Sequence, residues 1–174
     1  MNKTDLLSQL DNVKNNWILS LAAAGMLHRS DAPQILQGGG AEFDGLTIDF
    51  DQVGDFLRSR SGKQLALAEF CKANFRTLSV ETFERIKVYA DATKQTHRLK
   101  SYENYWFFHH IRNALVHDYC FNLAKHKKNI PTEWRGKRID FSMNGLPLEL
   151  DFLGFDGFYQ MHQDLRQFVT EKLD

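Results

Sequence analysis

The sequence predicts a mainly α-helical domain with one small β-hairpin insert near residues 134–153. Three observations lead there. Apolar residues recur at three- and four-residue spacing from Leu6 to Leu21, from Leu65 to Tyr89 and from Phe158 to Val169, the period of an amphipathic helix. Two β-prone runs, 134–141 and 146–153, flank Met143-Asn144-Gly145, and Asn-Gly is a strong hairpin-turn signal. The 174 residues carry no internal repeat or low-complexity tail, which suits one domain, 1–174, with a sizeable core.

Thr4 or Asp5 starts the first helix, which runs to about Leu27 with Leu6, Leu10, Val13, Trp17 and Leu21 on one stripe. The run from Trp17 to Leu27 is therefore half of an amphipathic helix rather than an export signal, because Asp5 and Asp11 precede it. Pro33 and Gly38-Gly39-Gly40 mark a loop. No Lys-Ser or Lys-Thr pair follows the glycines, so they read as a flexible connector and not a phosphate cradle. Leu46 to Phe50 alternates as a short extended piece, and Gln52 to Arg60 reads as a short helix.

From Gly62 the chain turns strongly helical, with Leu65, Ala68, Phe75, Leu78, Phe83, Ile86 and Tyr89 as candidate core positions and Ser79 as a break or kink. The polar stretch Thr93–Lys100 closes this unit, and Ser101 caps the next helix, Tyr102 to Ala124. Pro131 ends any helix after that, the hairpin follows, and Phe155 to Leu173 forms a last amphipathic helix. Its inward residues are Phe158, Met161, Leu165, Phe168 and Val169.

Composition narrows the function. Hydrophobic residues make up 43% of the chain and Phe alone numbers 14, so the core and any subunit interface should be rich in aromatics. The formal net charge is zero, so no global field draws the protein onto nucleic acid and any such contact must come from a local patch. Cys71 and Cys120 have no metal-site spacing and read as reduced, buried thiols of a cytoplasmic protein. No apolar run is long enough to span a bilayer.

The chemistry concentrates in Arg112-Asn113-Ala114-Leu115-Val116-His117, inside the most apolar helical segment. Polar groups there must be given partners, since burying them unpaired is costly. Asn113 and His117 are four apart and share a helix face, about 5–6 Å apart at Cβ. Arg112 lies roughly 100° around the axis, but its long side chain can swing back. A fixed cation, a group titrating near neutrality and a hydrogen-bonding positioner are the parts that handle a phosphodiester without a metal. The same residues equally suit a polar network that fixes helix packing.

On this helix Phe108, Ile111, Leu115 and Tyr119 line one side, and Tyr102, Trp106, His109, Asn113, His117 and Cys120 line nearly the opposite one. One side would meet the chain's own core, and the other would form a dimer face. His109 and His110 are auxiliary candidates, since they precede the motif by one turn. His109, His117 and Asp118 do not make a metal set, because Asp118 points away from the other two. Lys125, Lys127, Lys128, Arg135, Lys137 and Arg138, with Trp134 and His126 among them and Glu133 as the sole acid, suit single-stranded RNA or form a solvated loop.

The stretch Phe108-His109-His110-Ile111-Arg112-Asn113-Ala114-Leu115-Val116-His117-Asp118 resembles the signature of the HEPN superfamily (higher eukaryote and prokaryote nucleotide-binding domains): Arg, a polar residue, about three residues, then His. The resemblance covers residues 64–174 and, more loosely, the first helix. It implies a HEPN-like helical bundle and a homodimer in which two copies of Arg112, Asn113 and His117 form one composite ribonuclease site, with no cofactor and no metal. His117 would be general base or acid, Arg112 would stabilise the pentacoordinate transition state, and Asn113 would position the phosphate or the imidazole. It further implies a toxin or antiphage effector held in check by an antitoxin or inhibitor protein. Other members of the superfamily keep the fold without activity, which leaves a non-catalytic dimerisation or RNA-binding module as the alternative.

Overall fold

The computed structural model describes residues 1–174, the side chain of His126 excepted, so that member of the basic stretch lies outside the described groups. The chain is mainly α-helical. Its helices are α1 (Lys3–His28), α2 (Ala32–Leu36), α3 (Asp51–Arg58), α4 (Arg60–Ala92), α5 (Thr96–Lys100), α6 (Tyr105–Val116) and α7 (Gly154–Lys172). Two antiparallel hairpins join them, β1 (Gly40–Phe43) with β2 (Leu46–Asp49) and β3 (Thr132–Trp134) with β4 (Lys137–Ile139). Among the described residues no helix is long and apolar enough to cross a membrane.

The chain divides into two compact units, Met1–Asn16 with Phe75–Asp174, and Trp17–Asn74. The larger one holds the principal core, with Leu6, Leu10, Phe75, Phe83, Phe108, Ile111, Phe158 and Leu165 all close to fully buried. Phe75 stacks on Phe158 at 4.7 Å between ring centroids, and Tyr102 stacks on Phe168 at the same distance. Arg166 holds Asp11 with two hydrogen bonds, at 3.0 and 2.9 Å, which pins α7 to α1. The smaller unit buries only Trp17, Ala32, Pro33, Gly54 and Leu57.

Several expected boundaries move. The first helix is capped by Asn2 and not by Thr4 or Asp5: the Asp5 amide donates to Asn2 Oδ1 (2.8 Å), and the Asn2 amide donates back to Asp5 Oδ2 (3.1 Å). Ser79 is buried without breaking α4, and Leu65 and Ala68 are exposed because they fall in the unit with the small core. Ser101 ends α5, and Asn104 precedes α6.

Helix α6 stops at Val116, eight residues earlier than Ala124, because Asp118 and Tyr119 adopt φ of 52° and 56°. The chain then pairs as extended backbone with residues 146–148: Phe121 N–H donates to Leu146 O (3.0 Å) and Leu148 N–H to Tyr119 O (2.6 Å). Phe121 and Leu123 reach the core from that extended segment, so apolar residues continue past the helix end.

The second hairpin turns at Arg135-Gly136, where both φ are positive (48° and 75°), and covers 132–139. Asn144-Gly145 instead forms a type II turn, with Gly145 at φ 83° and Leu146 N–H bonded to Met143 O at 3.0 Å. That turn sends 146–148 back to the end of α6 and does not pair 134–141 with 146–153. Gly38 and Gly39 lie in the turn expected of the glycine run, and Gly40 opens the β1–β2 hairpin, which turns at Asp44-Gly45.

Candidate functional site on helix α6

Helix α6 exposes a narrow polar strip along an otherwise buried cylinder, because Tyr105, Phe107, Phe108, His110, Ile111, Ala114 and Leu115 all face the core. On the strip, Arg112 Nη1 donates to Asn113 Oδ1 (2.9 Å) and Arg112 Nη2 pairs with Glu84 Oε1 of α4 (2.7 Å). Asn113 Nδ2 lies 3.0 Å from His109 Nε2. With the carboxamide oxygen taken by Arg112, its NH₂ faces the imidazole, so His109 accepts at Nε2 and carries its proton on Nδ1. A chain of four side chains results: carboxylate, guanidinium, carboxamide, imidazole.

Aromatic neighbours fix the end of this chain. The His109 ring stacks on Tyr105 (5.6 Å, 17°) and meets Trp106 edge-on (5.4 Å, 85°). Burial raises the Tyr105 phenol above its ordinary value, with the nearby carboxylates of Asp91 and Glu84 adding to the rise, so it stays a neutral wall. Glu84 is the residue sequence reasoning missed. Only its place beside the core positions Phe83 and Ile86 could have hinted at it, and nothing in spacing links residue 84 to residue 112.

The structure joins Arg112, Asn113 and His109 through their side chains. His117 is the C-cap of α6 (φ −102°, ψ 64°), and its amide still donates to the Asn113 carbonyl at 3.0 Å, closing the last turn of the helix. Its ring is exposed, and among the described residues no side-chain hydrogen bond joins it to Arg112 or Asn113. His110, the other auxiliary candidate, is 1% exposed and belongs to the core. The Cys120 thiol donates to the Gly145 carbonyl at 3.3 Å, and burial raises the Cys71 thiol, so neither is poised as a nucleophile.

The basic stretch splits in two. Lys125, Lys127 and Lys128 ride on a 3₁₀ turn, Ala124–Asn129, all exposed, with Lys127 Nζ 4.6 Å above the Phe141 ring. Arg135 is paired with Asp164 (3.1 Å) and Arg138 with Asp140 (3.5 Å), while Lys137 is half-buried. Trp134 is not available for base stacking: it is buried edge-on against Phe108 and donates to Asp164 Oδ2 at 2.9 Å. A cleft of about 760 Å³ opens elsewhere in the larger unit, lined by Arg98, Tyr102, Glu103, Asp164 and Glu171 among others and by none of the motif residues.

No protein-family model, curated protein or solved structure matches the chain.

Proposed function

We propose that the protein is a metal-independent endoribonuclease of the HEPN type, acting as a homodimer with one composite site. The observation that carries this reading is a chain on a half-exposed strip in which Glu84 forms an ion pair with Arg112 and hydrogen bonds run from Arg112 to Asn113 and between Asn113 and His109, with the exposed His117 at its helix end. Glu84 holds one edge of the guanidinium and Asn113 the other, so the cation is pre-oriented before substrate arrives. Two copies would bring two His117 rings to one phosphodiester. One takes the proton of the ribose 2′-hydroxyl as it attacks phosphorus, and the other gives a proton to the departing 5′-oxygen. The products are a 2′,3′-cyclic phosphate and a 5′-hydroxyl, and DNA is inert because it lacks the nucleophile. Such an activity suits a toxin or antiphage effector restrained by an inhibitor protein.

A second reading rests on its own observation. Arg112 already has its charge met by Glu84 at 2.7 Å, as in a packing clamp between α4 and α6. On that account the chain is a non-catalytic dimerisation or RNA-binding module.

Incubating the purified protein with unstructured RNA in EDTA separates the two. The nuclease reading expects cleavage that falls by on the order of 10²–10⁴ in His117→Ala and His117→Gln, with helicity unchanged. Glu84→Gln should lower the rate by more than about tenfold, through misplacement of Arg112. Intact RNA with the wild type, or cleavage only with an added divalent ion, returns the cluster to the clamp.

A further inference from the structure

We infer that the cleft between residues 98–104 and helix α7 binds a short extended peptide carrying a basic side chain. The sequence of α7 sets up one wall. Asp164, Gln167, Phe168, Glu171 and Lys172 recur at three- and four-residue spacing, so they share one helix face. Phe168 turns inward and stacks on Tyr102, which leaves that face polar toward a cleft of about 760 Å³. The other wall runs antiparallel to α7. Arg98 Nη1 donates to the Lys172 carbonyl at 3.2 Å, and Tyr102 meets Phe168 one turn earlier on α7. Burial raises the Tyr102 phenol, and the carboxylates of Asp164 and Glu103 add to the rise, so both lie toward the far end.

The two ends therefore differ in charge. At the first, Glu103 has no ion-pair partner among the described residues, and Asp164 pairs with Arg135 at 3.1 Å. At the second, Lys172 has no such partner either. Arg98 gives Nη1 to Asp174 Oδ2 at 2.8 Å, while its Nε and Nη2 meet no acceptor among the described residues. Eight residues of helix separate Asp164 from Lys172, roughly 12 Å of rise. An extended tripeptide sets its ammonium and carboxylate about 10 Å apart, which suits that span.

The stretch between the ends suits peptide groups. Asn104 Nδ2 donates to the Tyr102 hydroxyl at 3.2 Å and Gln167 Nε2 to Glu171 Oε1 at 2.7 Å. Both carboxamide oxygens are left to accept a peptide N–H, and the Tyr102 hydroxyl keeps a proton for a peptide carbonyl. The lining holds three carboxylates against two cations, so a basic side chain on the peptide answers Glu171. Other ligands match less of the lining. A lone anion meets the carboxylates, and a polyamine meets Arg98 and Lys172. A nucleotide finds no open ring to stack on, since Phe168 is 4% exposed and already covers Tyr102. This inference stands apart from the nuclease reading and shares no residue with it.

The test is a nuclear magnetic resonance titration of the full chain with the tripeptide Ala-Lys-Ala. Saturable shifts should gather at residues 98–104 and 164–172. Acetylating the peptide's amine, amidating its carboxylate, or replacing its lysine by glutamate should each weaken binding by about tenfold or more. Two variants fix the orientation. Glu103→Gln should weaken the free peptide but leave the acetylated one unchanged, and Lys172→Gln should do the same with the amidated one. Both side chains are exposed, so helicity should be unaltered. The inference is overturned by the absence of saturable shifts up to about 10 mM peptide. It is equally overturned if blocked peptides bind as well as free ones, if either variant weakens free and blocked peptides alike, or if spermidine or adenosine monophosphate binds more tightly than the peptide.

Discussion

His162 shows what a single buried imidazole does to a fold. It is 1% exposed, its Nδ1 is 2.8 Å from Thr82 Oγ1, and its Nε2 is buried with no hydrogen-bond partner among the described residues. Burial pushes its pKa down from 6.5 to about 4, helped by the charge of Lys14 and Arg166 and opposed by Asp11. The unfolded chain takes up that proton near 6.5 and the folded one only near 4. The stability that the neutral ring confers is therefore whole above 6.5 and drains away as pH falls toward 4, by up to about 3 kcal/mol. Urea midpoints at pH 7 and pH 4.5 should differ accordingly, and His162→Gln should flatten that difference; an unchanged slope would remove His162 from the account. Asp11, whose carboxyl Arg166 holds low, contributes stability that is whole above the ordinary carboxylate value of 3.8 and is lost as pH falls below it, so its window opens where that of His162 closes.

At the scale of elements, the long helices were legible because their apolar residues keep the helical period, while the ends were not. Phe121 and Leu123 extend the apolar pattern past Val116 but reach the core from extended backbone, so periodicity alone overruns the true end of α6. The turns teach the same point. Asp44-Gly45 carries a hairpin signal and makes a hairpin, whereas Asn144-Gly145, the signal chosen from the sequence, makes a type II turn. The motif residues were legible as a group, but that α6 ends at His117 was not, and Glu84 comes from a contact between helices. The basic stretch divides by its partners, which sequence does not show. Lys125→Ser, Lys127→Ser and Lys128→Ser together should lower the salt slope of RNA binding by up to about three. Arg138→Ser should leave it nearly unchanged, since its charge is spent on Asp140. An equal loss from both sets would mean that the ion pair does not govern contact.

For the whole molecule, the contrast between the two units predicts a spread of local stabilities. Backbone hydrogen bonds in β1, β2 and α3 have few buried side chains over them, whereas those in α6 and α7 lie in the principal core. Hydrogen exchange followed by mass spectrometry should show the first set exchanging through low-energy openings, and the second only through global unfolding. Uniform protection across the chain would contradict the division.

The edge-on contact between Trp106 and His109, at 5.4 Å, gives the polar strip an optical handle of its own. A protonated imidazole at such range quenches an excited indole, by accepting an electron from it, far more readily than a neutral one does. Acidification that places a proton on His109 Nε2 must also break the bond from Asn113, so a drop in indole emission would mark the moment the strip comes apart. The fluorescence change should vanish in His109→Gln and survive in His117→Gln. If both variants titrate like the wild type, the signal arises elsewhere. The state of the strip can then be followed in the intact protein, with no substrate and no assumption about what that substrate is.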